Sequence, residues 1–121
     1  MGATTIPDDR PASEPEAAIA SWMLRNASQA GDLSDLEPSL IGLRVVGGCS
    51  CGCPSVDFVA GGQAAGASPV ANAHGTTAEG VAVGVILWER DASVSALEFY
   101  ELGEPVRSLP LVDSLIAWPP R

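Results

Sequence analysis

The chain has 121 residues, 46% of them apolar, and a formal net charge of −9 with no lysine and six scattered arginines. That length suits a single domain with a modest core, and the apolar fraction argues against wholesale disorder. Nucleic acid and anionic membrane are poor partners for such a chain, because both are bound through clustered Lys and Arg, whereas a basic protein partner suits the charge.

Aromatic residues make up only 5% of the chain, so a thin core anchored by Trp22, Met23, Phe58, Trp88, Phe99 and Trp118 is expected. Residues 1–16, "MGATTIPDDRPASEPE", have neither a basic region nor an apolar stretch of signal-peptide type. The longest apolar run, "VAVGVIL" at 81–87, is too short to span a bilayer. A cytoplasmic protein with reduced thiols is the resulting expectation.

Residues 1–12 are rich in Pro, Asp and Thr and read as a disordered tail, followed by one α+β domain over 13–121. "SEPE" at 13–16 carries a capping box, Ser13 with Glu16, and Pro15 falls in the first turn where no N–H is needed. Ile19, Trp22, Met23, Asn26, Ala27 and Ala30 then recur at i, i+3, i+4 spacing, which predicts a helix over about 14–30 closed by Gly31. Leu33, Leu36 and Leu40 suggest one or two further helical turns, interrupted by Pro38.

The β-rich runs predict strands over about 43–49, 55–60, 81–90 and 94–102 in a small antiparallel sheet. The 81–90 run is apolar on both faces and is expected at the sheet centre. The helix should cover one face, and the C-terminal tail or a partner subunit the other, so a homodimer is compatible with the pattern. The stretch 61–80 is small and polar and reads as a mobile loop. The tail carries Pro105, Pro110, Pro119 and Pro120 and should wrap in extended form.

All the cysteine lies in "CSCGCP", residues 49–54. In a regular strand Cys49, Cys51 and Cys53 share a face with Cα atoms about 6.5–7 Å apart, which is wide for a disulfide between neighbours or for one ion. Three readings stand. In the first, the thiols fill a tight hairpin tip, at least one of them buried against the Leu33/Leu36/Leu40 segment. In the second they bind zinc, with His74, the only histidine, as fourth ligand, or an acid such as Asp57 or a partner chain in its place. In the third they form a redox site, for which Arg44 is the only basic neighbour in sequence.

"RVVGGCSCGCPSVDF" followed by "VGVILWERDASVSALEFYELGEPV" resembles a group of small bacterial proteins of unknown function that share a C-x-C-G-C-P-S hairpin and a later L-E-[apolar]-Y strand. The resemblance covers roughly residues 36–112. It implies that Cys49, Cys51, Gly52, Cys53, Pro54, Ser55, Leu97 and Glu98 match the shared pattern, and it brings no activity, substrate or cofactor.

No catalytic constellation is legible. A Cys51–His74 pair lacks an orienting acid and an oxyanion element, and Glu89, Asp91, Glu98 and Glu101 with Arg90 read as a solvated charged surface. Glu98 would need an arginine partner if buried. The leading expectation is a non-enzymatic protein-interaction domain without cofactor, of inhibitor or immunity type. The alternative is a zinc or thiol-redox module centred on Cys49, Cys51 and Cys53.

Overall fold

In a computed structural model, which describes residues 5–29 and 31–119, Ser13 caps helix α1 (Glu14–Asn26) as its sequence predicts. Ser13 Oγ accepts from the Glu16 N–H at 3.2 Å, and the Ser13 N–H donates to Glu16 Oε1 at 2.8 Å. The helix stops four residues short of the expected end. Ala27 O accepts from the Asn72 N–H, and the Gln29 N–H donates to Val70 O. These bonds turn the chain into extended form alongside a strand, which competes with another helical turn. Ala30 lies outside the described residues.

The fold is α+β, with a seven-stranded antiparallel sheet in place of the four strands expected. In chain order the strands are β1 (Thr5–Pro11), β2 (Arg44–Cys49), β3 (Val56–Asp57), β4 (Ser68–Thr76), β5 (Ala82–Arg90), β6 (Ser93–Glu101) and β7 (Ile116–Ala117). In space the order is β1-β2-β3-β6-β5-β4-β7. The β5–β6 hairpin closes through Asp91 and Ala92, both at positive φ, as a two-residue turn matched to strand twist requires.

Three strands depart from the sequence reading. Of the segment expected to fray, residues 5–11 form β1, paired with β2 and held by Arg10 to Glu16 and by Arg44 to Asp9. Residues 1–4 lie outside the described part. The expected mobile loop contains β4, which pairs with β5 along its whole length. Its small residues are what the packing demands, since α1 lies across β4 and β5, with Ala71 and Ala73 on the buried face. A Cβ at Gly75 would stand 2.8 Å from Leu115 Cδ2. The preceding loop is tied down too, as Arg90 donates to the carbonyls of Ala60 and Gly61, and Ser95 to that of Gly62. The tail is extended at its end, as expected, and adds β7 at the edge beside β4. Pro120 lies outside the described residues.

The core lies between α1 and one sheet face. Ile19, Ala20, Met23, Leu24 and Ala27 pack against Val83, Val85, Leu87, Leu97 and Phe99. Among the expected anchors, Met23, Phe58 and Phe99 are buried, Trp22 and Trp88 are half-buried, and Trp118 is 43% exposed. The branched aliphatics carry the core in their place. On the other face, Tyr100 covers Gly84, where no side chain fits beneath its ring. Ile86 and Trp88 on that face are half-buried. A 3-10 helix, η1 (Ser34–Leu40), contains Pro38 and packs on α1 and β6. Among the described residues no helix is long and apolar enough to cross a membrane.

Candidate metal centre

The sulfurs converge because the chain leaves strand geometry right after β2. The Cys49 N–H donates to Ser55 O at 3.3 Å, closing the hairpin neck, and Gly52 takes φ +91°, a conformation suited to glycine. The backbone then curls around its own sulfurs. The Cys51 N–H donates to Cys49 Sγ and the Cys53 N–H to Cys51 Sγ, each at 3.4 Å. The tip is fastened to the sheet by Ser55, whose buried Oγ accepts from the Phe99 N–H at 2.8 Å and from the Cys53 thiol at 3.3 Å.

The three Sγ atoms lie within 4.8 Å of one another. Cys49 and Cys51 are the closest pair, Sγ to Sγ 2.6 Å. Extended-strand spacing would hold them far apart, and it does not apply because the strand ends at Cys49 and the chain turns from Ser50 onward. The two thiols differ in acidity. Burial, reinforced by the hydrogen bond with Cys51, pushes Cys49 up to about 12. Hydrogen bonding from Cys49, and then from Cys53, holds Cys51 below the ordinary thiol value. The Cys49 thiol therefore keeps its proton and shares it with a sulfur that is the readier of the two to ionise.

The structure brings together three of the four candidate ligands named from sequence. His74 lies elsewhere, on β4, with β6 and β5 between it and β3. Three strand spacings amount to about 14 Å. No cysteine is buried against Leu33, Leu36 and Leu40: Cys51 is exposed, and Cys49 and Cys53 are half-buried. The η1 segment packs on α1 and β6 instead.

Arg44 pairs with Asp9, opposite the other end of β1. The guanidinium at the tip belongs to Arg107, whose Nη1 lies 3.9 Å from where a Cβ on Gly52 would stand. Nothing in the spacing from 52 to 107 announces this contact. Ser55 did carry a signal, as the serine of the C-P-S segment.

The cysteines line a cleft of about 510 Å³, with Asp57, Gln63 and Glu98 among its other lining residues. Glu98 is half-buried and accepts from Trp88 Nε1 at 3.1 Å, so an indole takes the place of the expected arginine. A soft, polarisable cation is the chemistry that three thiols on a curled tip serve best, because thiolates select such ions over oxygen-seeking ones. No protein-family model, curated protein or solved structure matches this chain.

Proposed function

We propose that the protein is a small metal-binding module in which Cys49, Cys51 and Cys53 hold one zinc-class cation. The mutual approach of the three sulfurs, all within 4.8 Å, carries this reading. Zn–S bonds of about 2.3 Å set sulfurs roughly 3.8 Å apart around a tetrahedron. The tip would meet that spacing by opening the Cys49–Cys51 pair by about 1 Å and drawing Cys53 in by up to about 1 Å, small adjustments for a surface turn. Two backbone N–H groups aimed at sulfur favour the thiolate form a metal needs.

Three protein ligands leave a fourth position for solvent or a small donor, the pattern of an open site. The interaction-domain expectation rests on net charge alone, which is why the sulfur geometry takes precedence. Elemental analysis of the purified protein, with a thiol count before and after unfolding, tests the proposal. One zinc per chain, lost on replacing Cys49, Cys51 or Cys53 by serine, is the expected result. Metal-free protein that takes up no added zinc would refute it.

A further inference from the structure

The third sulfur of the tip and the unpaired arginine beside it say more about what meets the site. Cys53 is held by its hydrogen bond to Ser55. Cys49 and Cys51 face each other at 2.6 Å, with Cys51 exposed and Cys49 half-buried behind it. That is the layout of an attacking sulfur in front and a resolving sulfur behind.

Above the tip stands Arg107. Arg10, Arg25 and Arg44 are each bound to a carboxylate, and Arg90 to two carbonyls. Among the described residues Arg107 is the one arginine without a hydrogen bond or ion pair in the protein. It is exposed, and its guanidinium lies over Gly52, between Cys51 and Cys53. In a chain of net charge −9, an anion approaching this tip is repelled except where such a cation receives it.

We propose that the tip is a site for a small carboxylate-bearing disulfide, of the glutathione disulfide class, which Arg107 receives and which joins Cys49 to Cys51. The inference rests on the thiol site described above as the metal centre, because closing this pair removes two of its three ligands and releases the cation. The chemistry is thiol–disulfide exchange. Cys51, as thiolate, attacks one sulfur of the small disulfide, forming a mixed disulfide and expelling one small thiolate. That thiolate regains from solvent the proton Cys51 gave up. Cys49 Sγ then attacks Cys51 Sγ and expels the second small thiolate, which leaves with the proton of Cys49. Two electrons leave the cysteine pair and reduce the small disulfide to two thiols, and reversal by excess thiol restores the site. Cys53 stays reduced throughout.

The test uses the full chain, metal-stripped, with glutathione disulfide and the uncharged hydroxyethyl disulfide as probes, quenched by alkylation and read by peptide mass spectrometry. A Cys49–Cys51 link with Cys53 alkylated is expected. The ratio of the rates with the charged and uncharged probes should fall about 3- to 10-fold in Arg107→Gln, the size of effect one steering charge gives. Raising the salt should lower the same ratio in the wild type and barely move it in the variant. A rate ratio that Arg107→Gln leaves unchanged, a link that involves Cys53, or a mixed disulfide that never closes overturns the proposal. Zinc uptake by the reduced protein is measured separately. A chain that closes the pair yet takes no zinc defeats the metal reading alone. A chain that binds zinc but does not close the pair defeats the exchange alone.

Discussion

The imidazole of His74 lies stacked on the indole of Trp118, ring centroids 4.2 Å apart and planes 14° from parallel, while Tyr100 meets the same imidazole edge-on at 6.4 Å. This contact joins the edge strand β7 to β4 on the sheet face away from α1. It also commits the only histidine to a structural role, with two strands between it and β3. Replacing His74 by alanine should therefore leave zinc affinity, measured by competition with a chromophoric chelator, within about twofold of the wild type. It should cost about 0.5–1.5 kcal/mol of stability, the worth of an aromatic pair. A large loss of zinc affinity would mean that the tip reaches β4 after all.

The thiolate site makes its own thermodynamic prediction. A cation that binds only the folded chain, at a free concentration a hundredfold above its dissociation constant, adds about 2.7 kcal/mol. For a domain of this length that corresponds to a rise of roughly 10 °C in thermal midpoint. Chelator should reverse the rise, and Cys51→Ser should abolish it while leaving the metal-free midpoint close to that of the wild type, since Cys51 is exposed. A midpoint indifferent to both zinc and chelator would count against the site.

Core energetics separate two adjacent helix residues. Met23 is fully buried, whereas Trp22 is half-buried at the margin of the core. Met23→Ala should cost about 2–5 kcal/mol, as emptying a closed core site does, and Trp22→Ala should cost less in the same denaturation experiment. The reverse order would show that the indole is the anchor and that the helix is rotated from its described position.

Helix start, the central hairpin and the antiparallel pairing are local or periodic features, and the sequence announces all three. Ser13 and Glu16 bond each other, and β5 and β6 alternate around buried Val85, Leu87 and Leu97. What stayed hidden depends on contacts between distant segments. Ala71, Ala73 and Gly75 look like loop composition until α1 and Leu115 are seen pressing on them. The cysteine cluster depends on a strand that ends at Cys49 and a turn that runs through Ser50 and left-handed Gly52, and strand spacing alone gives the opposite answer. Strand order is also silent in the sequence, so the separation of His74 from the thiols could not be read there, nor could the approach of Arg107.

The β5–β6 turn holds an alanine where its backbone favours glycine. Ala92 has φ 63°, a left-handed conformation that costs an L residue roughly 1–2 kcal/mol. Ala92→Gly removes that strain but loosens the unfolded chain, which offsets about 0.4–1 kcal/mol of the gain. The net expectation is stabilisation by up to about 1 kcal/mol in a urea titration with unchanged slope. Destabilisation would indicate that the turn is not of this type in solution.

Acid should act on the fold through Glu16. Burial opposes ionisation of this carboxyl most strongly, but hydrogen bonds from Arg10 and from the Ser13 N–H and hydroxyl outweigh it and hold the group below the ordinary carboxylate range. Arg10 reaches both carboxylate oxygens, at 2.7 and 2.9 Å, and so joins β1 to the first turn of α1. A depressed carboxyl contributes stability that is fully present above its unfolded value, about 4.3, and lost as pH falls through its folded value. Wild-type stability should therefore drop between about pH 5 and pH 3, and Glu16→Gln should flatten that part of the profile. Arg10→Met removes the cation and leaves only the Ser13 bonds to oppose burial, so the carboxyl rises from its depressed value. In that variant the Glu16 contribution is smaller, and the loss of stability toward acid should shrink over the same interval. Denaturation midpoints at several pH values for the three proteins decide it: parallel profiles would mean that Glu16 carries none of the acid sensitivity.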